Sequence, residues 1–223
     1  MTTSSRGNNR SAGFTLVELL VVIAIIGLVI GISIPAFQGS GQGAKARTAA
    51  FQLSTHLNLA RQHAITTRQN VFVLFAGKEV TYTAATRDMA YSTYMIVGER
   101  DGMIGEVRRL PPGVIFDNEY EPKASPPEPY NIFLQTKPGY VKSTNFPTAS
   151  SSAQNLVGFT YRPDGRLHNA GFNRKSIFIT EGWLDDAAQP TPLFNTNAAV
   201  YGLEIQPVTG HAKTREYNIV TTH

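Results

Sequence analysis

One carboxylate stands where a charge is costly. Glu18 lies near the start of a run of 21 residues, Phe14 to Ile34, that holds no other charged side chain. At about 1.5 Å rise per residue such a run makes a helix about 31 Å long, enough to cross a bilayer core. A carboxylate inside it costs a few kcal/mol even on the gentler insertion scales, so it calls for a cationic partner. The plain alternative is a signal anchor whose Glu18 sits at the interface and has no role of its own. A second candidate set is basic. His211, Lys213 and Arg215 cluster near the C-terminus, and Arg162, Arg166, Arg174 and Lys175 surround a preceding hairpin. Cations grouped in this way are the side chains that contact phosphate oxygens. Their plain alternative is solvated turn charge, which is the commoner outcome.

Other candidates carry less chemistry. The five histidines are His56, His63, His168, His211 and His223. His56 and His63 are seven apart on an expected helix, so they share a face, but two turns is too far for one metal ion. Asp185-Asp186 is a lone acidic pair in an expected loop, accounted for by solvation. There is no cysteine, which excludes disulfides, thiolate nucleophiles and thiolate metal sites. No nucleophile elbow, phosphate-binding glycine loop or spaced ligand set appears. An enzyme is not expected, nor a cofactor or a metal site.

The elements that position these residues follow from the pattern. Residues 1–13 are polar, contain Arg6 and Arg10 and no acid, and read as a short cytoplasmic leader. Without them 18 basic and 16 acidic side chains remain, a net charge of +2, so the pI near 9.4 says little about nucleic acid. Pro35 ends the apolar run, and Gly39-Ser40-Gly41-Gln42-Gly43 predicts a flexible break. From Ala44 the helix resumes: Ala46, Ala50, Leu53, Leu57, Ala60 and Ala64 fall on one face, with Lys45, Thr48, Gln52, Thr55, Gln62 and Arg68 opposite. The remainder reads as β. Val71–Phe75 and Glu79–Thr83 flank Gly77-Lys78 as a hairpin. Tyr91–Val97 is a third strand, and Glu106–Leu110 and Val114–Phe116 flank a Pro-Pro-Gly turn. Residues 117–155 hold six prolines and a serine triplet, and read as a long, partly mobile surface excursion. Leu156–Arg162 and Arg166–His168 form a hairpin about Pro163-Asp164-Gly165. Ser176–Thr180, Tyr201–Gln206 and Tyr217–Val220 complete the strands, with Trp183–Asn197 a loop.

The segment Gly13-Phe14-Thr15-Leu16-Val17-Glu18-Leu19-Leu20-Val21-Val22 resembles the processing and methylation site of type IV prepilins and type II secretion pseudopilins. The resemblance implies cleavage between Gly13 and Phe14 by a prepilin peptidase and N-methylation of Phe14. Glu18 would then neutralise the N-terminal amine of a neighbouring subunit in a filament. Charge counting leaves topology nearly tied, because Lys45 and Arg47 follow the span. The resemblance breaks the tie: its peptidase works on the cytoplasmic side, placing the rest of the chain outside. Ala60-Arg61-Gln62-His63-Ala64-Ile65 with Asn70-Val71, Leu110-Pro111-Pro112-Gly113-Val114, and Phe159 to Gly165 are each similar to segments of GspH/FimT-like minor pilins and pseudopilins. Relatives of that group that capture DNA carry Gly-Arg-x-Arg near the C-terminus. Here Gly210-His211-Ala212-Lys213 stands at those positions, and a mostly neutral histidine and a lysine replace the arginines.

These resemblances imply an α+β pilin-like fold, with a long N-terminal helix (a membrane half plus an amphipathic half) packed on an antiparallel β-sheet domain. The organisation expected is a leader at 1–13, a transmembrane and filament-core helix with its glycine-rich break at 14–43, and a periplasmic domain at 44–223. The implied function is a minor pseudopilin of a type II secretion pseudopilus. The alternative is a FimT-like minor type IV pilin that binds DNA for uptake through His211, Lys213 and Arg215. The implied location is the bacterial inner membrane, single-pass, with incorporation into a filament. The implied partners are prepilin peptidase, other pilin or pseudopilin subunits, an inner-membrane assembly platform and membrane lipid, with DNA not favoured.

Overall fold

The computed structural model describes residues 16–39, 43–120, 130–133, 141–148, 150–168 and 175–217; within 16–39, side chains are described for residues 16–28. Two compact units divide the chain at residues 41 and 42. The first contains helix α1, Leu16–Gly39, with Glu18 in its first turn. Its sequence is largely aliphatic, and the helix runs through Gly27, Gly31 and Pro35. The helix continues past Pro35, where the sequence suggested an end to the run. The Gly39–Gly43 break falls largely outside the described residues. Among the described residues no helix is long and apolar enough to cross a membrane.

The second unit is built on helix α2, Ala44–Thr67. Gly43 starts it from a left-handed conformation (φ 83°), and its backbone N–H donates to Glu181 Oε1 at 2.6 Å. The buried face is Ala46, Ala49, Ala50, Leu53, Leu57, Ala60 and Ala64, the expected stripe with Ala49 added. Lys45, Thr48, Gln52, Thr55, Gln62 and Arg68 are exposed, as the periodicity requires. Alanine dominates the stripe, so the helix axis can approach the strands closely while Leu53 and Leu57 fill the centre.

Twelve strands follow among the described residues: β1 Val71–Phe75, β2 Thr93–Gly98, β3 Gly102–Met103, β4 Arg108–Arg109, β5 Val114–Asp117, β6 Tyr130–Asn131, β7 Val141–Asn145, β8 Ala153–Tyr161, β9 Lys175–Leu184, β10 Pro192–Phe194, β11 Val200–Ile205 and β12 Ala212–Tyr217. They form two sheets. The first runs β3-β2-β1-β8-β7, with β4 also on β2; the second runs β10-β9-β11-β12, with β5 and β6 also on β9. All pairings are antiparallel except β6 with β9. Helix α2 touches strands of both sheets. Beside it an aromatic cluster joins them: Phe75 of the first sheet meets Phe116 of the second edge-on at 5.2 Å between ring centres, and Phe133 lies 5.5 Å from Phe116.

Several expected elements change. Glu79–Thr83 forms no strand, because β1 already pairs with β2 on one edge and β8 on the other. The segment packs inward instead: Val80 and Tyr82 are buried, and the Tyr82 hydroxyl donates to Gly77 O at 2.8 Å. The Pro-Pro-Gly turn does not close a hairpin; it carries the chain from β4 in one sheet to β5 in the other. The described part of residues 117–155 contributes β6, β7 and the start of β8, because longer strands offer free edges to pair with. The expected 183–197 loop contains β10, and the last described strand is Ala212–Tyr217 rather than 217–220, whose final residues lie outside those described.

The alanine-rich face predicts a sharp asymmetry in stability. Leu53→Ala empties a fully buried site and should cost about 2–5 kcal/mol. Gln52→Ala, one residue away and exposed, should change stability by less than about 0.5 kcal/mol. Denaturant unfolding of the two variants checks the pair.

Candidate functional site

Three fragments separate in sequence meet at the C-terminal part of α2. Arg61 Nε–H points between two backbone carbonyls, Thr209 O at 2.7 Å and Gly165 O at 3.2 Å. Gly165 (φ 78°) and Gly210 (φ 69°) both take left-handed conformations that favour glycine. A Cβ on Gly210 would collide with the Gly165 carbonyl oxygen, and one on Gly165 would stand 2.8 Å from Ile65 Cδ1. Backbone bonds complete the junction: Leu167 N–H donates to Pro207 O at 3.0 Å, and Gly210 N–H to Gln206 O at 2.8 Å. Below it Tyr161 is fully buried; burial pushes its hydroxyl up, and the nearby Arg61 cation opposes the shift. The segments at 60–65, 159–165 and 210–213, read separately in the sequence, are thus brought together. Arg61 is the residue whose function sequence reasoning missed. Its signal was the pair of turn glycines, but the carbonyls it reaches lie 104 and 148 residues away.

The basic candidates sit beside this junction, in settings that limit what they offer. His211 is exposed in the turn before β12, and its backbone N–H donates to Thr209 Oγ1 at 3.4 Å. Lys213 and Arg215 are on β12, not in a turn. Lys213 lies opposite Glu204 of β11, and Arg215 Nη1 stands 3.6 Å from Glu204 Oε1. Glu204 is buried and also accepts a hydrogen bond from the Tyr217 hydroxyl. Removing a cation from beside a buried carboxylate costs more than separating a surface pair. Arg162 and Arg166 flank Asp164, each with Nε 4.0 Å from its carboxylate. Lys175 is buried on β9 and offers no surface charge, and Arg174 lies outside the described residues.

The remaining candidates are dispersed. Glu18 is in the first turn of α1; Gly13 and Phe14 lie outside the described residues. His63 Nε2 is 3.0 Å from Asp101 Oδ2, and His56 contacts Tyr94 and Arg108, so the two histidines share a helix face without sharing a ligand. Asp185 and Asp186 have structural partners. Asp185 accepts bonds from the Thr191 hydroxyl (2.6 Å) and backbone N–H (2.9 Å), which hold its carboxyl below the usual range. Asp186 pairs with Arg87 at 2.6 Å. Among the described residues no three His, Asp or Glu side chains are placed to hold a metal ion.

The Arg61 junction predicts a local effect of substitution. Arg61→Ala leaves two carbonyls without their charged donor and should cost about 1–3 kcal/mol. Gly210→Ala, strained and sterically blocked, should destabilise by more than about 1 kcal/mol. Thermal unfolding with hydrogen exchange across residues 163–167 and 206–211 checks both.

The prokaryotic N-terminal methylation motif matches residues 8–34, which include Gly13, Phe14 and Glu18. A fimbrial protein of Moraxella nonliquefaciens is 43% identical over 58 residues, 25% of this chain and 38% of that protein. A fimbrial protein of Pseudomonas aeruginosa is 34% identical over 79 residues, 35% of this chain and 45% of that protein. The chain therefore spans less than half the length of the curated relatives it matches. No solved structure matches significantly. With that motif ahead of an α+β domain organised on an N-terminal helix, the chain is similar to type IV pilin-like proteins over its N-terminal part.

Proposed function

We propose that the chain is a structural filament subunit, specifically a minor pseudopilin of a type II secretion pseudopilus. The observation that carries the reading is the methylation motif across residues 8–34, with Glu18 as the one acid of the apolar run. In this reading prepilin peptidase cuts between Gly13 and Phe14 and methylates Phe14. The apolar helix holds the subunit in the inner membrane, single-pass, with the domain in the periplasm, until the assembly platform extracts it into a filament. Glu18 then pairs with a neighbour's N-terminal amine. Opposite charges in a low-dielectric core attract strongly enough to offset part of their desolvation, and the need to pair them sets the register between subunits. The two-sheet domain on α2 supplies the outward surface for partner subunits.

A second reading is a minor type IV pilin that takes up DNA. The exposed His211 and Lys213 favour it, as does the description of the relatives as fimbrial proteins. The pairing of Arg215 with buried Glu204 weighs against it, because that cation is already committed.

Two experiments separate the parts of this proposal. Gly13→Leu should retain the leader by intact-mass analysis, and normal processing would remove the cleavage assignment. Glu18→Ala should still be cut, but its incorporation into filaments should fall by about an order of magnitude or more; full incorporation would end the role given to Glu18. For the second reading, DNA is titrated against residues 42–223 at low and moderate salt, with Lys213 and Arg215 both changed to alanine as control. Affinity no tighter than about 10⁻⁴ M at physiological salt keeps the secretion reading first. Tight, salt-dependent binding that the control loses reverses the order.

A further inference from the structure

His56 is held on both ring nitrogens by two different strands of the first sheet. Its Nδ1 lies 2.5 Å from the Tyr94 hydroxyl of β2, and its Nε2 lies 3.1 Å from Arg108 Nη1 of β4. A guanidinium only donates, so Nε2 must be unprotonated to receive it, and the ring proton sits on Nδ1, donating to the Tyr94 oxygen. Among the described residues the Arg108 Nε is buried with no hydrogen-bond partner, so the polar contact of this guanidinium is the one to His56. Strand β4 is two residues long and, among the described residues, pairs with β2 alone, Tyr94 opposite Arg108 and Thr93 opposite Arg109. Among the described residues the chain before it is held by the equally short β3, by the Ile104 N–H to Ile96 O bond at 2.8 Å, and by Met103, Ile104 and Val107, each partly buried against the core. Gly105 and Glu106 are exposed. Arg109 has its own anchor in the Asp88 carboxylate at 2.6 Å.

We propose that His56 is an acid-sensitive latch: its neutral imidazole holds Arg108, and with it residues 102–108, against α2, and protonation of Nε2 releases that segment. Once Nε2 carries a proton, two N–H donors and two positive charges face each other across 3.1 Å. The groups facing the ring are Tyr94 from β2 and Arg108 from β4, neither of which can neutralise it at acid pH. The neighbours one turn away on α2 are Gln52, Leu53, Leu59 and Ala60, all uncharged. Burial and the Arg108 charge both hold the imidazole below its ordinary 6.5. With the folded value lowered, the folded state binds fewer protons than the unfolded one. The stability His56 contributes is therefore full above 6.5 and is lost as pH falls through the lowered value. The Arg109–Asp88 pair sits beyond the latch, so release stops at Arg108.

The test uses the full chain in detergent micelles. Backbone hydrogen exchange, corrected for intrinsic rate, is compared at about pH 7.5 and about pH 4.5 in the wild type and in His56→Gln, whose side-chain oxygen accepts from Arg108 at either pH. Exchange at the imidazole C–H gives the His56 midpoint in the wild type. The expected result is a midpoint below 6.5, exchange over residues 102–108 at least about tenfold faster in acid, and a change under about twofold in His56→Gln. A midpoint at or above 6.5, no acceleration in the wild type, or equal acceleration in His56→Gln would overturn the latch. If His56→Gln fails to fold, the wild-type midpoint and acceleration decide together.

Discussion

The close approach of α2 to two sheets at once governs the second unit. Five of the seven buried positions on that face are alanine, so the contact depends on backbone proximity as much as on side-chain volume. Proximity of this kind fixes the rotation of the helix about its axis, because turning it would drive larger side chains into the strands. Rotation in turn decides what the flanks of the stripe can reach. His56 and His63, seven residues apart on one flank, meet β2 at Tyr94 and the turn after it at Asp101. Arg61, on the other flank, reaches the turns at Gly165 and Thr209. The helix thus ties down the turns and short strands that the ladders alone hold weakly.

Much of this is legible in the sequence. The helical stripe was legible because a 3.6-residue period records which face meets the core, whatever that core contains. Strands β1, β2, β8, β9 and β11 were legible because β-branched and aromatic runs fit buried sheet positions. Glu79–Thr83 shows where that reasoning fails. Its local preference is for a strand, but pairing is a competition for edges, and β8, far downstream in the chain, takes the edge of β1 that a hairpin would need. Residues 130–131 and 141–145 show the converse. They lie in proline-rich surroundings with weak strand signals, and β9 and β8 impose pairing on them. The connection at Pro111-Pro112-Gly113 was readable as a turn, but not as a passage between sheets, because turn chemistry carries no information about which partner lies beyond it.

The site divides along the same line. Glycine at 165 and 210 was visible as turn chemistry, since only a few residue types accept positive φ. That one arginine would hold both turns was not visible, because nothing local to Arg61 names its acceptors. A guanidinium N–H, two left-handed glycines and a close backbone approach constrain one another, so changing any one disturbs the others.

The same reasoning limits the basic edge of the domain. Lys213 and Arg215 look equivalent in sequence, two cations spaced to point to one side of a strand. Their shared neighbour makes them different from free surface charge. Glu204 is buried, so it cannot turn into solvent when its partner leaves, and a phosphate drawing Arg215 away would leave that carboxylate under-compensated. Binding an anion there must offset that loss, whereas His211, exposed in the turn, carries no such cost. An anion at this edge therefore competes with Glu204 for Arg215. Arg215 offsets part of the charge of an acid that the sheet has already desolvated, and so supports the β11–β12 pairing.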